Sequence, residues 1–203
     1  MKLRKLILIS GLLLGFAQTI GAQNQLITYP APQEAELKDD FTVKVRQPGG
    51  KWQTIATYPV KVDEVKEARH HVKLASMSYF DFDGEVEVSV TAHKEEIETA
   101  RIRPLSYGIT PQVSRNTLTF KLNSPHNLSI EVNGIFHNLH LFANPIDRNN
   151  PLKPGMNPKK LKKNRNLIYF GPGIHQLPGD TLDVPSGKTV YISGGAIVRG
   201  CIR

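Results

Sequence analysis

The sequence predicts an all-β protein in which an N-terminal β-sandwich is followed by the first coils of a right-handed parallel β-helix. Three observations carry this. Apolar residues alternate with period two from Leu26 to Ala143, and turn-forming residues separate the runs. After a Pro- and Lys-rich break, a short apolar motif then recurs at an offset of 22 residues.

The N-terminus is set apart from this pattern. Lys2, Arg4 and Lys5 precede the apolar run Leu6 to Phe16, and small, weakly polar residues follow up to Gln23. That order marks a secretory signal peptide over residues 1–22, with cleavage expected after Ala22 and Gly21 as the alternative. The run is too short to cross a bilayer core of roughly 30 Å, and Gly11 and Gly15 interrupt it. The expected location is secreted or periplasmic, with no membrane span once the signal is removed. The single cysteine, Cys201, excludes a disulfide framework.

Residues 23–143 read as the sandwich. Phe41, Val43 and Val45 alternate with Thr42, Lys44 and Arg46, and Pro48-Gly49-Gly50 turns the chain toward Trp52 and Ile55. Asp83-Gly84 marks a turn before Val86, Val88 and Val90. Leu118, Phe120 and Leu122 repeat the pattern, as do Leu128, Ile130 and Val132. Asn133-Gly134 then predicts a tight hairpin, because both residues tolerate positive φ. The one helix-like stretch is about Val62 to Val72. Several short strands at this spacing match a sandwich of roughly 110 residues.

Residues 144–166 break the alternation with Pro145, Pro151, Pro154-Gly155 and Pro158. Lys153, Lys159, Lys160, Lys162, Lys163 and Arg165 concentrate positive charge there. The net charge of +8 falls to +5 when Lys2, Arg4 and Lys5 leave with the signal. A basic run can bind polyanions, but the expected role here is a solvated linker, and no nucleic-acid partner is expected.

Residues 167–203 carry the repeat. Ile168 to Ile174 aligns with Val190 to Ala196, with Tyr169 matching Tyr191. Pro185-Ser186-Gly187-Lys188 supplies the turn before the second copy. Strands recurring at this period stack as coils, each burying its apolar face on its neighbour, and roughly three or more are needed for stability. Only about one and a half are present, so the expectation is an N-terminal piece of a longer architecture.

The runs Tyr169 to His175, Leu182 to Ile192 and Gly194 to Gly200 resemble the first coils of pectinase-type β-helical glycoside hydrolases, including the polygalacturonases of family 28. Leu128 to Gly134 and Leu139 to Pro145 resemble the end of the sandwich preceding the helix in the dextranase and isopullulanase type of family 49. The resemblance implies hydrolysis of glycosidic bonds in a polysaccharide or oligosaccharide, without a cofactor. It also implies catalytic aspartates on later coils, two carboxyl groups flanking the scissile bond. No position up to Arg203 matches that motif, so no catalytic, cofactor-binding or metal-binding residue is assigned. The alternative is a noncatalytic carbohydrate-binding or cell-surface module.

Local constellations are weaker signals. Asp81 and Asp83 share one side of a strand, the raw geometry for a carboxylate pair or calcium ligands, but with Gly84 they read as turn residues. Asp180 and Asp183 read as turn and solvent-face residues. His137 and His140 are three apart and face opposite sides of a strand, and adjacent His70-His71 is an equally poor ligand pair. His175 is expected to hydrogen-bond the linker. Trp52, Tyr29, Tyr58 and Tyr79 are candidates for stacking on sugar rings, a use that competes with core packing.

Overall fold

A computed structural model describes residues 24–135, 138–153 and 156–203. The expected signal peptide and His137 lie outside the described residues, as do Pro154 and Gly155. No α-helix occurs among the described residues. The strands are β1 (Gln25–Ile27), β2 (Phe41–Arg46), β3 (Gln53–Ile55), β4 (Tyr58–Lys66) and β5 (Arg69–Asp83). They continue with β6 (Val86–Ala92), β7 (Ala100–Arg103), β8 (Gln112–Ser114), β9 (Thr117–Leu122), β10 (His126–Val132) and β11 (Leu139–Pro145). The last four are β12 (Leu167–Phe170), β13 (Gly173–Leu182), β14 (Thr189–Ile192) and β15 (Ala196–Ile202).

The first eleven strands form two sheets around one apolar core. One runs in the order β1-β5-β11-β10-β7, with β4 also paired to β5; the other runs β3-β2-β6-β9-β8. Pairing is antiparallel except between β5 and β11, which run parallel. Because side chains alternate across a strand, one side of each sheet supplies the core. Val43, Val45, Val86, Val88, Val90 and Leu118 come from one sheet, and Phe80, Phe82, Ile130, Leu139 and Leu141 from the other, all at most 1% exposed.

The Val62–Val72 stretch is not helical. It is the outer part of a hairpin in which β4 pairs with β5 from Tyr58↔Met77 to Lys66↔Arg69. Valines two and three apart weaken the strand period, and the turn residues Glu67 and Ala68 are not turn formers. Both adopt positive φ, 52° and 58°, the shape a two-residue hairpin needs for its twist. An alanine there carries a Cβ in a region that costs L-residues about 1–2 kcal/mol. Ala68→Gly is expected to stabilise the protein by about 0.5–1 kcal/mol, read as a raised urea midpoint at unchanged slope.

Two other expectations change in detail. Asn133 has φ 54°, but the register Ile130↔Leu139 is incompatible with a two-residue turn at Asn133-Gly134. Asn133 instead fastens a neighbouring loop: its side-chain oxygen accepts from the amides of Glu98 and Thr99 at 2.8 and 3.0 Å, and its nitrogen donates to the Glu96 carbonyl at 2.7 Å. The lysine run is not an open loop throughout. Pro158–Lys163 coils into a 3-10 turn capped by Asn157, whose side chain accepts from the Lys159 amide, and Leu161 is buried.

The repeat appears as two short parallel sheets. β12 pairs with β14 in the register Ile168↔Val190, Tyr169↔Tyr191, Phe170↔Ile192, the offset of 22 read from the sequence. β13 pairs with β15 in the register Ile174↔Ile197, one residue further on, because Ser193-Gly194-Gly195 makes a longer turn than Gly171-Pro172. The register shifts again at a bulge between Gln176 and Thr181, where Asp180 has φ 57°.

Candidate functional site

Strand β5 explains where a site arises. Phe80 and Phe82 enter the core, so Tyr79 and Asp81 point from the opposite face of the sheet. Parallel pairing sets Asn144 of β11 beside Asp81, and Tyr29 follows β1, whose Ile27 pairs with Asp81. Against this face lies the second strand of the repeat with its following turn. Together they enclose a cleft of about 360 Å³ lined by Tyr29, Tyr58, Tyr79, Asp81, Asp147 and Tyr191, with Asn144, Met77 and the backbone around Gly194 completing the wall.

The aromatic rings form two stacks. Tyr29 and Tyr58 lie on either hand of Tyr79, with centroids 5.5 and 6.2 Å from it. Tyr169 and Tyr191, equivalent positions of the repeat, stack at 5.8 Å with planes 9° apart. Hydrogen bonds order the wall around Asp81 and reach across to the repeat. The Tyr29 hydroxyl donates to Asp81 Oδ2 at 2.5 Å, Asn144 donates to Asp81 Oδ1 at 3.4 Å, and the Tyr191 hydroxyl donates to Asp147. The Gly195 amide donates to the Tyr79 hydroxyl at 2.9 Å. The Tyr58 hydroxyl is buried and faces the Tyr79 hydroxyl.

Burial governs the charge states. It is the largest influence raising the Asp81 carboxyl above its ordinary value; the hydrogen bonds from Tyr29 and Asn144 oppose it, and the charge of Asp147 adds to it. Burial and then the bonded aspartate push Tyr29 and Tyr191 far up, and burial with Tyr79 nearby takes Tyr58 to about 12. These phenols therefore remain neutral donors. Among the described residues, no Lys, Arg or His lines the cleft. It offers hydroxyl donors, two carboxylates and aromatic faces, a lining suited to a neutral, hydroxyl-rich ligand.

A raised carboxyl pKa fixes the sign of a pH effect. Between the unfolded value near 3.8 and the higher folded value, the folded state binds more protons, so Asp81 favours folding at acid pH and costs stability as pH rises through its folded pKa. Asp81→Asn keeps an oxygen for Tyr29 and carries no charge. It is expected to hold or raise the stability at pH 7 while flattening its dependence across the acid range, measured as urea midpoints against pH.

The other candidates fall elsewhere. Asp81 is a buried strand residue, not a turn residue; Asp83 ends β5, where it accepts from the Gly84 amide and pairs with Arg148 at 3.3 Å. His70 bonds Asp63 on the exposed hairpin, beside exposed His71. His140 sits in β11, its pKa lowered by burial. His175 bonds the Gly171 carbonyl at 2.6 Å, within its own turn and not in the linker. Asp180 accepts from Gln176 and Asp183 from Arg203, both exposed. Trp52 lies away from the cleft, under the Arg46 guanidinium. No group of three or more metal-ligating side chains gathers among the described residues.

Of the four candidates for stacking on sugar rings, Tyr29, Tyr58 and Tyr79 line the cleft and Trp52 does not, while Tyr191, Asn144 and Asp147 join it without having been candidates. Their signal was faint: Tyr191 is the one aromatic kept identically between the two copies of the repeat.

No protein-family model matches the sequence, and no curated protein matches it. Among solved structures the fold is similar to Dex49A from Penicillium minioluteum, with a TM-score of 0.58 at 16% identity. The match covers 86% of this chain and 44% of that protein, so the chain spans less than half its length. At that identity the likeness is one of fold.

Proposed function

We propose that this chain is the opening portion of a secreted, β-helical hydrolase of neutral polysaccharides. In this reading residues 1–22 are the export signal and residues 23–143 a sandwich domain. Residues 144–166 link it to the first coils, 167–203, of a right-handed parallel helix, and the tyrosine-lined cleft at the junction holds part of the glycan. The carrying observation is that cleft: stacked phenol rings, two carboxylates and, among the described residues, no basic side chain. Aromatic faces match the apolar faces of sugar rings. The likeness to Dex49A supports the same class, since the sequence resembles the dextranase type of family 49. Of the two resemblances, the carboxylates favour this one, because a polyuronate would meet like charge.

Both aspartates are already held by tyrosine hydroxyls. They act here as acceptors that order the cleft, and the acid–base pair for hydrolysis belongs to later coils. This feature also favours the second reading, a noncatalytic glycan-binding module. The test is calorimetric titration of residues 23–203 with neutral gluco-oligosaccharides and oligogalacturonate, alongside a reducing-sugar assay. Saturable binding of a neutral oligosaccharide, weakened about tenfold in Tyr191→Ala, with no sugar release, is expected. Preference for oligogalacturonate or unchanged affinity in the variant contradicts the site, and measurable turnover contradicts its noncatalytic role.

A further inference from the structure

The outward face of the second sheet carries a separate groove, on a different surface from the junction cleft. Arg46 of β2, Glu87 of β6 and Lys121 of β9 occupy paired positions across three strands. Arg46 Nε lies 2.5 Å from Glu87, and Lys121 Nζ lies 3.1 Å from Glu85 and 3.7 Å from Glu87. Trp52 stands at one side with the Arg46 guanidinium 4.3 Å above its ring, and Tyr107 contributes to the same wall. The groove measures about 660 Å³, within the roughly 300–1,000 Å³ range of small-ligand sites.

Three features set this surface apart from an ordinary solvated sheet face. Trp52 is the only tryptophan of the chain, yet it stays outside the core, 38% exposed, and Tyr107 is 46% exposed. Large aromatics gain most by burial; Arg46 covers one face of Trp52 and Tyr107 stacks on His126 at 4.2 Å, so the area that each still exposes is what the groove offers a ligand. The guanidinium over the indole fixes the ring's orientation, so little freedom remains to be lost on binding. Finally, two bases face two acids in contact, so the lining is charge-paired and presents no net field to an anion.

We infer that this groove is a second, noncatalytic subsite for a neutral oligosaccharide, with Trp52 and Tyr107 as stacking platforms and the Arg46–Glu87–Lys121 row as hydrogen-bonding floor. The inference rests on the carbohydrate reading above for its ligand class, but not on the junction cleft. The subsite would retain a polysaccharide on the exported protein while another part of the same glycan enters the cleft.

The single tryptophan makes the test selective, since its emission reports this groove and no tryptophan lines the cleft. The intact chain is titrated with isomalto-, malto-, cello- and laminarihexaose and with hexagalacturonate, following tryptophan emission and, in parallel, heat. The expected result is a saturable emission change with at least one neutral hexasaccharide, and an affinity for this groove reduced about tenfold in Trp52→Ala and retained in Trp52→Tyr. Hexagalacturonate is expected to be weaker than that neutral ligand. No emission change with any neutral hexasaccharide, equal affinity in Trp52→Ala, or tighter binding of hexagalacturonate would overturn the subsite. Heat that persists in Trp52→Ala but is lost in Tyr191→Ala assigns binding to the cleft alone, sinking this inference while leaving the proposed function standing.

Discussion

Gly194→Val is expected to detach residues 167–203 from the paired sheets while leaving those sheets folded. A Cβ at Gly194 would lie 2.0 Å from Tyr29 Cε1 and 2.3 Å from Cζ, closer than any real contact. The ring cannot simply swing away, because its hydroxyl is bonded to Asp81 and its face is stacked on Tyr79. Either Tyr29 gives up both interactions or the turn after β14 retreats and the Gly195–Tyr79 hydrogen bond breaks. Overpacking of this kind costs typically about 1–3 kcal/mol, a factor of about 5–150 in local opening. Hydrogen exchange followed by mass spectrometry should show that loss of protection in β12 to β15, with β2, β6 and β9 unchanged. Unaltered protection in β14 and β15 would mean that the two parts are not held together through Tyr29.

Phe80→Ala is expected to do the reverse and destabilise the body itself. Phe80 is fully buried, its ring centroid 5.6 Å from that of Phe82, in the cluster that both sheets share. Truncating such a side chain removes its burial and leaves a cavity, costing about 3–5 kcal/mol, a large part of the roughly 5–15 kcal/mol that holds a domain folded. Chemical denaturation monitored by far-UV circular dichroism should show the midpoint falling accordingly. The adjacent Tyr79→Ala supplies the contrast, since that side chain points the other way and serves the cleft. If the two variants lost equal stability, the division of β5 into a core face and a cleft face would be wrong.

That division was partly legible in the amino-acid order. Period two in Val86-Val88-Val90 and Leu118-Phe120-Leu122 sufficed to place the core, because an apolar side chain at every second position has one low-energy destination. The hairpin at 62–72 was misread because its turn is built from Glu67 and Ala68, whose positive φ follows from strand pairing and not from their own preference. The repeat gave the β12–β14 register directly, while the one-residue lag in β13–β15 depended on the lengths of two glycine turns.

The cleft was least legible. Asp81 meets Tyr29 across 52 residues of sequence and Tyr191 meets Asp147 across 44. No local spacing announces such pairs; they exist only once β1, β5, β11 and β14 have converged. Asp81 was also concealed by its neighbours, since Asp-Phe-Asp-Gly reads as the approach to a turn when the turn begins only at Asp83.

Whether the junction cleft takes a neutral glycan is decided by mapping backbone amide shifts of residues 23–203 during titration with neutral gluco-oligosaccharides of increasing length. The expected result is saturable perturbation of the Gly195, Tyr79, Asp81 and Tyr191 amides with one common dissociation constant, which rises when Tyr191→Ala removes a ring from the cleft wall. If those four amides stay still while the ligand binds elsewhere, or if no neutral oligosaccharide moves them, the cleft is only the seam between the two parts and the account fails.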